Sequence, residues 1–241
     1  MILAAAQFDP IDGDISKNID IHLYFIDLAA KKEADLILFP EMSLTGYCRE
    51  EASTLSFNKN DIRLDPIKKA AINRQIMVIV GAPIILEGKL YIGSFFIYPD
   101  GSELIYTKQY LHEGEEVYYE HSFEYNPKVK LGDDRFAAAI CADINHPEHA
   151  EKAAENDSSI YLASIFFSRN GIESGHKLLG TYARKHHMAV LMSNFCGTSW
   201  RMEAGGRSAF WSVNGDLIGE LGDISGLLIV EKKYGAWKVV K

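Results

Sequence analysis

Residues 135–149 read RFAAAICADINHPEH, and the rest of the chain is best understood from this stretch. The apolar run at 137–140 predicts a strand that is buried on both faces, and Cys141 ends it. Asn145 or His146 can then cap a helix whose first turn holds a proline. A thiol between a strand and a helix stands where α/β folds present a nucleophile. The alternative is a structural thiol, because free cysteine is among the residue types most often buried.

On both sides of this stretch, the chain alternates strands with helices and adds hairpins. The strands predicted in the first half lie at residues 2–8, 35–39, 76–80, 90–98 and 103–106. Those predicted in the second half lie at 137–140, 159–167, 188–194, 207–213, 216–221, 227–230 and 237–240. The pattern predicts an α/β fold of two mixed sheets packed face to face with helices outside, as one domain over residues 1–241.

The composition is that of an ordinary globular protein, with 47% hydrophobic and 24% charged residues among 241. A net charge of −8 argues against nucleic acid as a partner. The longest apolar stretch, at 76–86, is far shorter than the roughly 20 residues that span a bilayer, so no membrane partner is expected. The first eight residues predict a strand and lack the charged region of a signal peptide. Three cysteines without metal-finger spacing indicate reduced thiols and a cytoplasmic location.

Two charged residues, Glu41 and Lys108, also follow predicted strands. Either side chain could simply be solvated, as most glutamates and lysines are. Together with Cys141 they form a coherent chemical set. A thiol with an ordinary pKa of about 8.5 needs a base at neutral pH, and a partly buried carboxylate can act as that base. A lysine and the backbone N–H of Ala142 could stabilise an oxyanion.

Three segments around these residues resemble the ordered motifs of the nitrilase superfamily, the carbon–nitrogen hydrolases. LFPEMSLTGY at 38–47 resembles the glutamate motif, YTKQYL at 106–111 the lysine motif, and ICADINHPE at 140–148 the cysteine motif. The resemblance covers nearly the whole chain and implies an α-β-β-α sandwich of two mixed sheets flanked by helices. It also implies a homodimer or higher homo-oligomer, and a reaction without a metal or organic cofactor.

The resemblance implies a role for each residue of the set. Glu41 would be the general base, Lys108 the oxyanion stabiliser and Cys141 the nucleophile. Many members have a second glutamate a short way past the lysine, for which Glu116 is the best match and Glu115 the fallback.

Members of the superfamily usually carry an aromatic residue after the nucleophile, where this chain has Ala142. Nitrile-hydrolysing members tend to have Trp-Glu there, so the pair Ala142 and Asp143 favours amides or carbamoyl compounds as substrates. Tyr47, which ends the glutamate motif, and Arg169, which follows the strand at 159–167, are candidate substrate-binding residues. Arg169 could bind a substrate carboxylate, or it could be a solvated loop residue.

The sequence therefore predicts a cysteine-dependent amidohydrolase that releases ammonia from a small linear amide through a thioester. One alternative is an N-carbamoyl hydrolase, which would release carbon dioxide as well, and another is a catalytically idle member that acts as a binding protein. A metallohydrolase is a third alternative, suggested by His146, His149, His186 and His187, although no metal-ligand motif accompanies them.

Overall fold

The computed structural model describes residues 1–240, which form two large mixed sheets flanked by helices. The strands are β1 Ile2–Gln7, β2 Leu36–Leu38, β3 Met77–Leu86, β4 Lys89–Ile97, β5 Glu103–Thr107, β6 Val129–Leu131, β7 Asp134–Ile140, β8 Ile160–Ser164, β9 Ala189–Ser193, β10 Thr198–Ser199, β11 Met202–Glu203, β12 Ala209–Trp211, β13 Leu217–Glu220, β14 Gly226–Lys233 and β15 Ala236–Val239. The helices are α1 Ile15–Lys31, α2 Ala52–Leu55, α3 Asp65–Arg74, α4 Pro147–Glu155 and α5 Ile172–His186, with 3₁₀ turns at Ile62–Leu64, Glu115–Val117 and Cys141–Asn145.

The first sheet has seven strands in the order β15-β14-β1-β2-β3-β4-β5, and its centre is the parallel set β1, β2 and β3. These strands are almost entirely buried, so their apolar runs show no alternation of polar residues. Helix α1 begins after Asp14, whose side chain accepts a hydrogen bond from the backbone N–H of Lys17 at 3.0 Å. Its buried face carries Ile19, Phe25 and Ile26 at helical spacing.

The second sheet has six strands in the order β13-β12-β9-β8-β7-β6, with β7, β8 and β9 parallel. Strand β7 ends at Ile140, so Cys141 directly follows a buried strand as predicted. The predicted helix is confirmed as α4, which begins at Pro147 after His146. The intervening residues 141–145 form a tight 3₁₀ turn, which the apolar pattern does not reveal.

The two sheets meet at the carboxyl ends of their parallel strands. The Ser164 hydroxyl at the end of β8 donates to the carbonyl oxygen of Phe39, just past β2, at 3.0 Å. The Ser193 hydroxyl at the end of β9 donates to the carbonyl oxygen of Ala6 in β1 at 2.6 Å. The predicted fold class is confirmed, and residues that follow these strands are brought to one place between the sheets.

None of the helices within residues 1–240 combines the length and the apolar character needed to cross a membrane.

Candidate active site

Glu41 is held by a close contact between its segment and β3. Its side chain is buried, and Gly81 of β3 lies against the neighbouring backbone. A Cβ on Gly81 would lie 2.8 Å from the carbonyl oxygen of Pro40 and 2.5 Å from the backbone nitrogen of Met42. The Gly81 N–H also donates to the Ser43 hydroxyl at 3.0 Å. Glycine at this position therefore lets the backbone around Glu41 pack directly on the sheet.

Lys108 lies between two carboxylates. It follows β5 directly, and its side chain is completely buried. Its Nζ donates to Oε1 of Glu41 at 2.7 Å and to Oε1 of Glu115 at 2.8 Å. Both glutamates are buried as well, so one cation is shared by two carboxylates that water does not screen.

The second glutamate of this cluster is Glu115. The sequence analysis preferred Glu116 for this position and kept Glu115 as the fallback, and the structure places the fallback residue next to Lys108. Besides Lys108, Glu115 accepts hydrogen bonds from the Tyr47 hydroxyl and, at 2.7 Å, from the backbone N–H of His112. Glu116 follows in the same 3₁₀ turn, and its side chain is exposed. Successive side chains in a 3₁₀ turn point about 120° apart, so only one of the two glutamates can face Lys108.

Cys141 sits at the point where the chain turns out of β7. Its φ is +41°, in the left-handed region that residues other than glycine rarely adopt. The residue as a whole is partly exposed, and its Sγ lies 3.8 Å from the carbonyl oxygen of Phe166. The buried residue Ala142 is the second residue of the 3₁₀ turn, where the first backbone N–H groups have no partner within the turn itself. The strained backbone thus holds the thiol beside a backbone donor.

Asp143 connects the Cys141 turn to the segment that carries Lys108. Its carboxylate is completely buried and accepts four hydrogen bonds. The donors are the backbone N–H groups of Gln109, Tyr110 and Ile140, each at 2.9 Å, and the Tyr106 hydroxyl at 2.6 Å. Because the donors come from both sheets, Asp143 fixes the nucleophile turn relative to Lys108. The sequence interpretation gave this residue no such role.

The surroundings of Glu41 and Cys141 raise the pKa values of both groups. Burial raises the pKa of Glu41 to about 7, Lys108 opposes this rise, and Glu115 adds to it. The nearby Cys141 thiol is a further, smaller influence that lowers the same pKa. Burial also raises the pKa of Cys141, and the negative charge of Glu41 raises it further. The resting thiol is therefore protonated, and it lies near a carboxylate whose pKa is about 7.

Lys108 and Glu115 keep their charges. Burial alone would lower the pKa of Lys108, but the neighbouring negative charges, Glu41 first, outweigh it and raise that pKa. Burial likewise opposes ionisation of Glu115, and the positive charge of Lys108 outweighs it and lowers the pKa of Glu115. The site thus contains a fixed ion pair next to a carboxylate that can accept a proton.

One wall of the site is aromatic. The ring centroid of Tyr47 lies 5.3 Å from that of Phe166 and 5.8 Å from that of Trp200. Because the carbonyl oxygen of Phe166 contacts the Cys141 thiol, this wall adjoins the candidate nucleophile. Tyr47 was predicted to bind substrate, and its side chain is buried within the cluster.

Arg169, the other candidate for binding substrate, forms its ion pairs outside the cluster of Glu41, Lys108 and Glu115. Its side chain is 64% exposed and forms long ion pairs with Glu203 at 3.4 Å and with Asp223 at 3.8 Å. This matches the alternative of a solvated loop residue better than a role in binding substrate.

The histidines do not assemble a metal centre in the described part of the chain, residues 1–240, where no group of three or more potential ligands is found. His149 is buried and hydrogen-bonded instead: Nε2 lies 2.9 Å from the Tyr106 hydroxyl, and Nδ1 lies 2.7 Å from the Tyr161 hydroxyl. His146 stacks on the ring of Tyr110, with ring centroids 3.7 Å apart.

Both the sequence and the fold are similar to those of known proteins. A sequence model described as carbon-nitrogen hydrolase matches residues 2–239. The hydrolase in agr operon of Staphylococcus aureus is 27% identical over 235 residues, which cover 93% of this chain and 88% of that protein. The 2-oxoglutaramate amidase of Bacillus subtilis (strain 168) is 23% identical over 233 residues, which cover 95% of this chain and 89% of that protein.

Among solved structures, an amidase from Nesterenkonia sp. AN1 superposes with a TM-score of 0.88 at 22% identity, covering 96% of this chain and 92% of that chain. That structure shows the Michael addition of acrylamide at the active-site cysteine of the amidase. At this identity the likeness shows the fold, which is that of nitrilase-superfamily amidases.

Proposed function

The chain belongs to the carbon–nitrogen hydrolase family, and from that premise we propose that it hydrolyses the C–N bond of a small linear amide and releases ammonia through a thioester. One observation carries the proposal. The Glu41 carboxylate accepts a hydrogen bond from the buried Lys108 ammonium group at 2.7 Å, and the Cys141 thiol is close enough to both groups to shift the pKa of each. A nucleophile, a base and a cation are therefore in mutual reach at one strand end.

In the first half of the proposed reaction, Glu41 takes the thiol proton as Sγ attacks the carbonyl carbon of the amide. The Lys108 ammonium and the backbone N–H of Ala142 stabilise the negative oxygen that develops. Glu41 then gives its proton to the leaving nitrogen, the C–N bond breaks, and ammonia departs. The acyl group remains on Cys141 as a thioester.

In the second half, a water molecule attacks the thioester while Glu41 again acts as the base. The C–S bond breaks, the thiol recovers its proton, and the carboxylic acid leaves. The overall balance is one amide and one water converted to one carboxylic acid and one ammonia. Glu115 holds Lys108 through their ion pair and does not need to exchange a proton itself, since its pKa is lowered.

Several features support an amide as the substrate. Relatives of this chain are named amidases, among them the 2-oxoglutaramate amidase and the (R)-stereoselective amidase of Pseudomonas sp. The residue after the nucleophile is the small Ala142, unlike the tryptophan of nitrile-hydrolysing members. A Glu41 pKa near 7 also suits a group that must accept and return a proton at neutral pH.

The proposal is tested by incubating the protein with matched panels of linear amides, nitriles and N-carbamoyl compounds, and by measuring ammonia and carbon dioxide together. We expect ammonia from an amide without carbon dioxide, and no turnover by Cys141→Ala. Equal release of both gases from a carbamoyl compound would instead identify an N-carbamoyl hydrolase. Absence of turnover on every panel would favour a binding protein.

A further inference from the structure

A chain of hydrogen bonds connects a buried histidine to the turn that carries the candidate nucleophile. His149 lies in α4, is only 5% exposed and has no part in the proposed reaction. Its Nε2 lies 2.9 Å from the hydroxyl of Tyr106 in β5, and its Nδ1 lies 2.7 Å from the hydroxyl of Tyr161 in β8. Both tyrosines are completely buried. One helix residue therefore joins the two sheets through polar contacts that water does not replace.

The direction of each hydrogen bond follows from the carboxylate at the end of the chain. Asp143 can only accept, so the Tyr106 hydroxyl donates its hydrogen to Oδ2, at 2.6 Å. Tyr106 has no second hydrogen, so its oxygen accepts one from Nε2 of His149. Burial lowers the pKa of His149 against the opposing charge of Asp143, so the ring is neutral at pH 7. A neutral imidazole carries one N–H, which leaves Nδ1 to accept from Tyr161.

The Asp143 end of the chain holds the two segments that carry reacting groups. The Oδ2 atom that accepts from Tyr106 also accepts the backbone N–H directly before Cys141, at 2.9 Å. Oδ1 accepts the two backbone N–H groups that directly follow Lys108, each at 2.9 Å. Because one planar carboxylate binds both segments, its orientation sets the position of the nucleophile relative to the cation.

A buried polar chain is costly unless every member is satisfied, and a satisfied one fixes a single arrangement. We propose that His149 is a positioning residue for the amide hydrolysis. Its Nε2–H fixes the Tyr106 hydroxyl on Asp143, and that carboxylate keeps the nucleophile aligned with the cation. Tyr161 holds the imidazole in the required tautomer. This inference rests on the proposed function, since it names a residue that prepares the same site.

Steady-state kinetics, on the amide that the substrate panel identifies, tests this role. His149→Leu should lower kcat by about 10–10²-fold, as a misplacement approaching 1 Å would, with KM nearly unchanged. His149→Gln should recover part of the loss, because its amide N–H can donate to Tyr106 while its oxygen accepts from Tyr161. Tyr161→Phe should cost less than His149→Leu, because the contact with Tyr106 remains.

The matched control is His176→Leu. His176 is similarly buried, at 8% exposed, and its Nε2 lies 2.8 Å from the carbonyl oxygen of Arg207. Its ring packs against Trp211 of β12, with centroids 5.0 Å apart, so its partners belong to elements other than the Cys141 turn. Thermal melts should show a loss of stability in both leucine variants, whereas only His149→Leu should lose kcat. Equal losses of kcat in the two variants, or a change in KM alone, would overturn the inference and leave the proposed function intact.

NMR of the imidazole nitrogens tests the hydrogen-bond direction in the wild-type protein, without any turnover. His149 should be the Nε2–H tautomer, and the signal of that N–H should shift in Tyr106→Phe. A Nδ1–H tautomer would overturn the inference, because the chain would then run the other way.

Thiol alkylation tests the positioning separately from amide chemistry. Iodoacetamide should modify Cys141 more slowly in His149→Leu than in the wild type, because the released turn moves the thiol away from its base. The rate at the partly exposed Cys48, mapped by mass spectrometry in the same sample, is the internal reference and should not change. If His149→Leu unfolds, His149→Gln and Tyr161→Phe carry the kinetic and alkylation tests. An unchanged rate at Cys141 in folded variants would contradict the assignment, whether or not any amide is hydrolysed.

Discussion

Replacing Lys108 with methionine should leave two buried carboxylates without their positively charged partner. Glu41 and Glu115 lie 2.7 Å and 2.8 Å from the Lys108 Nζ, and all three side chains are at most 1% exposed. Removing one partner of a buried ion pair typically costs about 3–5 kcal/mol of stability. Turnover should fall by on the order of 10²–10³, because an oxyanion donor is lost as well.

The size of this stability loss should depend on pH in a defined direction. Without Lys108, the two neighbouring carboxylates cannot both stay ionised, so one extra proton is retained in the folded state. In the wild type, Glu41 already holds such a proton up to its pKa of about 7, a value that Lys108 lowers. Without Lys108 the folded pKa lies above the wild-type value, so the variant loses stability relative to the wild type as pH rises above about 7. The slope of this difference is about 1.4 kcal/mol per pH unit for one extra proton, or about 2 kcal/mol between about pH 7 and about pH 9.

Urea unfolding at about pH 7 and about pH 9 measures this difference. We expect the gap between wild type and Lys108→Met to be clearly larger at the higher pH. The control is Lys31→Met, whose exposed pair with Asp27 at 2.7 Å should contribute less than about 1 kcal/mol at either pH. A gap that is small, or equal at both pH values, would refute the buried-cation reasoning.

Three further predictions concern the position of the base, its ionisation and the assembly. Gly81→Ala should displace the Glu41 segment, lower activity and cost about 1–3 kcal/mol of stability. The control is Gly222→Ala, whose added Cβ would meet no atom within 4 Å and should change neither activity nor stability in the same assays. The logarithm of kcat/KM should fall as pH drops below about 7, because Glu41 must be ionised to take the thiol proton; a flat profile down to about pH 5.5 would contradict the Glu41 assignment. Sedimentation at micromolar concentration should show a homodimer or larger species, and a single species of about 27 kDa would exclude it.

The sequence predicted those parts of the fold and site that depend on local patterns. Buried strands appear as apolar runs, and the residues that directly follow them, Cys141 and Lys108, were found in this way. The sequence could not show which of Glu115 and Glu116 faces Lys108, because this depends on the orientation of a short 3₁₀ turn within a loop that has no periodic pattern.

The sequence interpretation did not single out the buried Arg49, because its surroundings come from distant parts of the chain. Its guanidinium lies over the ring of Trp200, about 150 residues away, and within residues 1–240 it forms no ion pair with a carboxylate. Arg169 was considered instead, since it follows a strand, but the ends of Glu203 and Asp223 lie next to it in the fold. Spacing alone cannot distinguish a paired arginine from an unpaired one.

The most direct test of the central claim is to locate the acyl group during turnover. A slow amide or ester substrate is mixed with the protein, the reaction is quenched in acid, and intact mass and peptide mapping identify the modified residue. The account predicts one thioester on Cys141, which persists when Cys48 and Cys196 are both replaced by alanine. An adduct on Cys48 or Cys196, or full turnover by Cys141→Ala, would contradict it.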